Sequence, residues 1–142
     1  MTGYCRQWIM DYASLIAPLQ DISKPSCTHP LTWSQQANES FEKLKQALLS
    51  APALGLPDYN QPFTLFVHEK CGFAQTVLTQ RHNSSYRPVA YFSSRLDPVE
   101  KEYPPCLKAV AAAALAVNKS ADIVLGSPLT VRMPHDALTL IT

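Results

Sequence analysis

The sequence PFTLFVHE, at residues 62–69, predicts the β-strand around which the rest of the chain is arranged. Every second residue from Phe63 to Val67 is apolar, and successive side chains of a strand point to opposite faces of a sheet. The intervening positions include Phe66, so neither face of this strand is uniformly polar. We therefore expect the strand to be buried substantially on both faces.

Two further strands are predicted directly after the first. Residues 74–80 are rich in β-branched side chains, and residues 88–93 form a second short run of strand-forming residues. The polar tract RHNSSYR, residues 81–87, separates them and suits a hairpin loop. Three sequential antiparallel strands are the expected arrangement.

A helix is predicted beyond the turn signal LDP at residues 96–98. Its apolar stripe consists of Leu107, Val110, Ala111, Ala114 and Val117. Small side chains in this stripe would let the helix axis lie close to a sheet, so we expect the helix to cover one sheet face. Residues 122–125 and 129–133 are predicted to be short strands, and residues 134–141 are compatible with a short helix.

The N-terminal segment from Tyr4 to Leu19 has the three- and four-residue spacing of an amphipathic helix. Its stripe consists of Trp8, Tyr12, Leu15, Ile16 and Leu19, with Pro18 near the end of the helix. The stretch KPSCTHP, residues 24–30, is typical of a loop. These features predict a helical appendage at residues 1–30 and a main domain at residues 31–142.

A second helix is predicted at the start of the main domain. Thr32 and Gln35 fit a capping box, and the helix is expected to end near Ser50. Its apolar positions are Ala37, Phe41, Leu44 and Leu48. The complete order is helix, helix, three strands, helix and two strands, which predicts an α/β fold with a mixed sheet.

Composition excludes several classes of protein. With 142 residues and 46% hydrophobic side chains, the chain is long enough to bury a core. The net charge is +1, so the strongly basic stripe of a free-standing nucleic-acid binder is missing, and any nucleic-acid contact is expected to be shared with other parts. No stretch approaches the ~20 apolar residues that span a bilayer. We expect a soluble, intracellular protein, located in the cytoplasm.

Four cysteines are spread widely along the chain, and none forms a CxxC pair: Cys5, Cys27, Cys71 and Cys106. This spacing favours neither a zinc site nor a redox pair. We expect four free thiols in a reducing compartment. Two disulfides are the alternative, but a chain of this size does not depend on them and shows no signal peptide.

Several segments, taken in order, resemble the stretch of gammaretroviral Pol that runs from the end of the thumb through the connection. These segments are GYCRQWI (3–9), LTW (31–33), ALLSAPALGLPD (47–58), PFTLFVHE (62–69), VLTQ (77–80), RPVAYFSSRLDPV (87–99) and PPCLKAVAA (104–112). The resemblance covers nearly the whole chain. It implies an RNase H-like fold, with a mixed five-stranded sheet flanked by helices, preceded by the helical end of a thumb-like segment.

The same resemblance identifies three positions where related elements carry acids. In gypsy-type retrotransposons this segment is an active ribonuclease, whose carboxylates hold two Mg²⁺ ions about 4 Å apart. The acid positions of that pattern fall at His68, Ala109 and Pro134, none of which is a carboxylate. Glu69 and Asp136 adjoin two of them, but a shift of one residue along a strand turns a side chain to the opposite face. We therefore expect a dismantled metal site and no cofactor.

Three functions follow from these features. The first is a catalytically silent connection module that spaces polymerase from ribonuclease, with other parts of a reverse transcriptase and an RNA/DNA hybrid as partners. The second is a residual Mg²⁺-dependent hybrid ribonuclease with a rearranged acid set, drawn from Glu69, Glu100, Glu102, Asp122 and Asp136. The third is a domesticated protein-interaction module, motivated by Trp8 and Ile9 if the first helix exposes them. The oligomeric state is left open.

Candidate nucleic-acid contacts are the lysines Lys24, Lys43 and Lys45, since the latter two lie on the second predicted helix away from its apolar stripe. A solvated face without a ligand is the alternative for these lysines. Five aromatic residues have the chemistry to stack on bases, but their periodic positions favour the core: Trp8, Trp33, Phe41, Tyr91 and Phe92. The pairs of His68 with Glu69 and His135 with Asp136 are assigned neither metal binding nor catalysis.

Overall fold

The structure is a computed structural model that describes residues 2–24 and 30–134. Its helices and strands, in chain order, are a 3₁₀ helix at Thr2–Trp8, α1 at Tyr12–Ile22, α2 at Gln35–Leu49, β1 at Phe63–Lys70, β2 at Phe73–His82, β3 at Ser85–Arg95, a 3₁₀ helix at Glu100–Glu102, α3 at Pro105–Val124 and β4 at Leu129–Arg132.

The strands form one mixed sheet in the order β3-β2-β1-β4. β1, β2 and β3 pair antiparallel, as predicted, whereas β4 pairs parallel to β1 with Phe63 opposite Leu129. α3 makes the crossover between β3 and β4. The described residues form four strands and not five, because residues 122–125 complete α3 and its C-cap instead of forming a strand. The helix predicted at residues 134–141 lies, apart from Pro134, outside the described residues.

Tight turns connect the three antiparallel strands. β2 and β3 extend through the polar tract that was predicted to be a loop, so that His82 pairs with Ser85 and only two residues remain between the strands. Asn83 in this turn has a φ of 56°. At the β1–β2 turn, Cys71 and Gly72 have φ of 53° and 78°, the left-handed backbone that a two-residue hairpin requires.

The core lies between the sheet and α3. From β1 it receives Phe63, Leu65 and Val67, and from α3 it receives Ala112, Ala116 and Val124. The predicted stripe of α3 was wrong for Leu107, Val110 and Val117, which are 45%, 37% and 38% exposed, whereas Ala111 packs against the core as predicted. The helix turns its small side chains to the sheet because alanines allow a close approach between helix and strands.

The N-terminal segment forms two short helices and not the single helix predicted from Tyr4 to Leu19. Asp11, with a φ of 62°, separates the 3₁₀ helix from α1, which continues past Pro18 to Ile22. The segment packs against β3, where the backbone N–H of Ala13 donates to Ser93 Oγ at 2.8 Å.

Among residues 2–24 and 30–134, no helix is both long and apolar enough to cross a membrane.

α2 packs against α1 and ends at Leu49, with Ser50 as its C-cap, as predicted. Its N-cap is Ser34 and not Thr32, since Ser34 Oγ accepts a hydrogen bond from the backbone N–H of Ala37 at 3.2 Å.

The boundary predicted between residues 1–30 and 31–142 falls at the end of a segment, residues 25–29, that lies outside the described residues. It stays a prediction.

Candidate functional site

Two of the three predicted acid positions lie at one open cavity of about 470 Å³, here called the His68 cavity. His68 is an exposed residue of β1, and Pro134 follows β4, which runs parallel to β1. Phe66 and Arg132 line the same cavity. The structure therefore brings the β1 and β4 positions together at one end of neighbouring strands.

Ala109, the third predicted acid position, is on α3 and is half-buried. It is not among the residues that line the His68 cavity. α3 packs against the face of β1 that carries Val67, and His68 points to the other face because side chains alternate along a strand. The His68 cavity thus brings together His68 and Pro134 but not Ala109.

The acids of the rearranged set are dispersed. Glu69 turns away from His68, and its carboxylate accepts a hydrogen bond from the backbone N–H of Gly72 at 2.8 Å. Glu100 Oε2 accepts from a backbone N–H of the preceding loop at 2.9 Å. The others are Glu102, which is exposed, Asp122, which lines a different cavity, and Asp136, which lies outside the described residues. Within residues 2–24 and 30–134, no three His, Cys, Asp or Glu side chains are grouped so that they could hold a metal ion.

Asp11 is an acid near the His68 cavity that the sequence did not single out. Its Oδ1 is buried and has no hydrogen-bond partner among the described residues. Burial raises the pKa of Asp11, and the nearby charges of Lys70 and His68 offset part of this effect. Its position depends on the left-handed backbone at Asp11, which no local sequence pattern indicated.

A cation–aromatic cluster borders the His68 cavity. The guanidinium of Arg132 lies over the rings of Phe66 and Tyr86, at 5.9 and 5.8 Å from their centroids. The two rings meet edge to face, with centroids 5.2 Å apart. Such contacts hold an arginine side chain in place. The sequence signal for this cluster is Phe66 on the otherwise polar face of β1, but its partners come from two other strands.

The three lysines predicted to contact phosphate are all exposed. Lys24 forms an ion pair with Asp21 at 2.7 Å, and Lys45 forms one with Glu42 at 2.6 Å. Lys43 lies on α2, beside Lys45 in sequence. Exposed ion pairs of this kind are weak and do not prevent a lysine from binding a phosphate. The structure therefore leaves this prediction untested.

The aromatic residues divide into two groups. Trp8 and Phe92 are partly buried and Tyr91 is buried, in keeping with the core positions predicted for them. Trp33 and Phe41 are 52% and 43% exposed, so the prediction of core positions was wrong for these two. Their rings meet edge to face with centroids 6.2 Å apart.

Trp33, Phe41 and Lys45 form a surface that is here called the α2 aromatic patch. The ammonium of Lys45 lies 5.0 Å from the centroid of the Phe41 ring.

A second expectation, about exposed apolar residues of the N-terminal segment, was also wrong. Ile9 is only 2% exposed, and Trp8 is partly buried. The two residues named for an interaction surface on the first helix are therefore wholly or partly covered, which weakens that alternative.

Three of the four cysteines lie within the described residues, and all three carry free thiols: Cys5, Cys71 and Cys106. Cys27 lies outside the described residues. Cys71 is exposed in the β1–β2 turn, and the other two are partly buried.

Two solved structures of foamy viral proteins share this fold. A foamy viral protease–reverse transcriptase in complex with double-stranded DNA matches 93% of this chain and 23% of its own, with a TM-score of 0.81 at 20% identity. A foamy viral protease–reverse transcriptase in complex with an RNA/DNA hybrid matches 93% of this chain and 18% of its own, with a TM-score of 0.77 at 21% identity. The likeness shows that this chain shares their fold, a mixed α/β arrangement as expected from the sequence.

Residues 33–131 match the family described as the RNase H-like domain found in reverse transcriptase. The Pol polyprotein of feline endogenous virus ECE1 is 54% identical over 94% of this chain, and the Gag-Pol polyprotein of baboon endogenous virus is 53% identical over 94%. The chain belongs to this family of reverse-transcriptase RNase H-like domains. It spans 12% and 8% of the lengths of these two relatives.

Proposed function

We propose that this chain is the connection module of a retroviral reverse transcriptase. In this proposal it is a catalytically silent RNase H-like domain that links the polymerase and ribonuclease parts. It acts in the cytoplasm and makes weak contact with an RNA/DNA hybrid. The family membership, and the small share of each relative that the chain covers, support a role as one part of a longer polyprotein.

The observation that carries the silent assignment is the chemistry at the end of β1. Two-metal hydrolysis needs carboxylates that converge on both ions. His68 and Pro134 meet at one cavity but supply an imidazole and a proline ring. The adjacent carboxylate, Glu69, faces the other side of the strand and accepts a backbone hydrogen bond in the β1–β2 turn. This arrangement supports a scaffold without hydrolytic chemistry.

The α2 aromatic patch supports the linking role. Trp33, which lies just before the N-cap of α2, and Phe41 on α2 leave large apolar surfaces exposed, and α2 also packs against α1. Exposed apolar patches bordered by charge, such as that of Lys45, are typical of surfaces that another part of a protein covers. In this proposal the neighbouring parts of the polyprotein cover the patch.

The test is cleavage of a labelled RNA/DNA hybrid by the purified chain in Mg²⁺ or Mn²⁺. We expect no cleavage by the wild type. Metal-dependent cleavage by the wild type would overturn the silent assignment, provided that a Glu69→Gln, Glu100→Gln, Asp122→Asn variant loses it. If that variant cleaved equally well, the activity would come from a contaminating nuclease or from acids outside this set, and repurification would separate these two sources.

A variant that restores the three carboxylates tests the alignment of the acid positions. The triple variant His68→Asp, Ala109→Glu, Pro134→Asp restores carboxylates at the positions where related elements carry them. Because Ala109 does not line the His68 cavity, we expect this variant to remain inactive as well. Cleavage by the triple variant would show that the three positions can still converge on metal ions.

A further inference from the structure

A second cavity, of about 350 Å³, lies where the N-terminal segment, β3 and α3 meet. It is here called the Arg6–Lys119 cleft. Its polar lining comes from elements far apart in sequence, namely Arg6 and Gln7 of the first 3₁₀ helix, Ser93 of β3, and Asn118, Lys119 and Asp122 of α3. Neither the predicted acid positions nor the predicted phosphate-binding lysines belong to this cleft.

Two cations converge in the cleft without a carboxylate partner. Among the described residues, neither Arg6 nor Lys119 forms an ion pair within 4.0 Å, although Asp122 lines the same cleft. Lys119 Nζ makes one long hydrogen bond, to the carbonyl oxygen of Ser93 at 3.4 Å. The cleft therefore holds two positive charges against one negative charge.

The pKa of Lys119 responds to this arrangement. Partial burial of the ammonium lowers it from its usual value, and the positive charge of Arg6 lowers it further. Two like charges at one cleft repel each other, although solvent screens part of this repulsion because both residues are exposed. An anion between them would reverse both effects by neutralising the repulsion and providing hydrogen-bond acceptors.

Phosphate is the anion whose chemistry fits these donors. An arginine presents a planar set of N–H donors that matches two phosphate oxygens, and a lysine adds a point charge. The amides of Gln7 and Asn118 add neutral donors at the same cleft. The cleft is much larger than a single phosphate, so it has room for the sugars on either side of a phosphodiester.

We propose that the Arg6–Lys119 cleft binds a phosphate group of a nucleic-acid backbone. The choice of an RNA/DNA hybrid as the source of that phosphate rests on the proposed function, whereas the existence of a phosphate site does not. This assignment places the contact on the seam between the N-terminal segment and α3, away from Lys24, Lys43 and Lys45.

The test measures binding of a fluorescently labelled RNA/DNA hybrid to the full chain as a function of salt concentration. The cleft variant is Arg6→Gln, Lys119→Gln. The matched control is Arg81→Gln, Lys108→Gln, which removes the same two charges from a strand and from α3 outside the cleft. We expect the cleft variant to lose at least about tenfold in affinity at low salt, and its slope of log K against log salt to fall by about 2. The control should change both quantities much less.

A parallel titration with inorganic phosphate, followed by NMR of the Arg6 and Lys119 side chains, separates the two sources of phosphate. Saturable shifts at both side chains support the site. If these shifts occur and the hybrid does not bind, the phosphate site stands and the hybrid contact of the proposed function fails. The cleft assignment is overturned if the hybrid binds equally well to the cleft variant and to the control. It is also overturned if phosphate shifts neither side chain. In both cases the proposed function is retained as long as the hybrid binds.

Discussion

The carboxylate of Glu69 and the backbone N–H of Gly72 are joined by a hydrogen bond of 2.8 Å across the β1–β2 turn. Gly72, with a φ of 78°, and Cys71, with a φ of 53°, form the two-residue turn that this bond closes. The acid next to His68 in sequence is thus part of the hairpin. A conversion of Glu69 into a metal ligand would have to break the turn that fixes the register of β1 and β2.

Glu69→Ala is expected to lower the free energy of unfolding by about 1–2 kcal/mol, because it removes a charged acceptor from a partly buried backbone donor. Urea unfolding measures the change. Glu69→Gln is the matched control, since its amide oxygen can still accept the bond, and it should lose less. Equal losses in the two variants would show that the charge of Glu69, and not its acceptor oxygen, stabilises the turn.

Gln80 joins the end of β2 to the segment before β1. Its Oε1 accepts from the backbone N–H of Asp58 at 2.8 Å, and its Nε2 donates to the carbonyl oxygens of Asp58 at 2.7 Å and Gln61 at 3.2 Å. The side chain is only 6% exposed, so water cannot easily replace these bonds. We expect Gln80→Ala to cost about 2 kcal/mol in urea unfolding.

The control for Gln80 is Gln75→Ala on the same strand. Gln75 is half-buried and makes no side-chain hydrogen bond with the described residues. It should change stability by less than about 0.5 kcal/mol. Similar losses for Gln75→Ala and Gln80→Ala would mean that the bonds to Asp58 and Gln61 contribute little beyond side-chain packing.

Local patterns predicted the presence and order of β1, β2 and β3 well, but predicted a strand at residues 122–125 that belongs to α3 and its C-cap, and predicted the burial of α3 poorly. β1 alternates strongly, and its pairing with β2 and β3 follows from short connections, so the meander was predictable. α3 is rich in alanine, and the predicted stripe of Leu107, Val110, Ala111, Ala114 and Val117 lies mostly beside the buried face of the helix. The sheet instead receives Ala112 and Ala116, because the close approach of helix and sheet favours small residues. Because alanines occupy positions all around α3, the helical pattern did not decide which of them face the sheet.

The candidate site was predictable only where it depended on the family resemblance. His68, Ala109 and Pro134 came from that resemblance, and the structure places two of them at one cavity. The meeting of Arg6 with Lys119 joins residues from the two ends of the chain, so no local spacing indicated it.

The face of α3 can be tested with two identical substitutions. Ala116 is 2% exposed and lies in the core, whereas Ala114, two residues earlier, is exposed. Ala116→Leu is expected to lower the free energy of unfolding by about 1–3 kcal/mol, because the core has no room for the added methylene groups. Ala114→Leu should change it by less than about 0.5 kcal/mol. The reverse order, measured by thermal or urea unfolding, would place the predicted stripe, and not Ala116, against the sheet.

Asp11 should make stability depend on pH in the direction set by its raised pKa. Burial is the main cause of the increase, so the folded protein binds a proton more readily at Asp11 than the unfolded chain does. Ionised Asp11 therefore destabilises the folded state at neutral pH. This penalty decreases as the pH falls through the folded-state pKa, and it is absent below the unfolded value of 3.8.

Asp11→Asn removes the charge while retaining a residue that tolerates the left-handed backbone at φ 62°. We expect it to stabilise the protein at pH 7 by no more than about 1 kcal/mol, since solvent screens a partly exposed carboxylate. The gain should shrink in urea unfolding at successively lower pH. Asp21→Asn is the control, and its effect on stability should have the opposite sign. A hydrogen bond from Lys24 lowers the pKa of Asp21, so the ionised carboxylate stabilises the folded state. This variant should therefore be slightly less stable than the wild type at pH 7. A loss of stability in Asp11→Asn at pH 7 would mean that the ionised carboxylate of Asp11 stabilises the fold through Lys70 and His68 more than burial destabilises it.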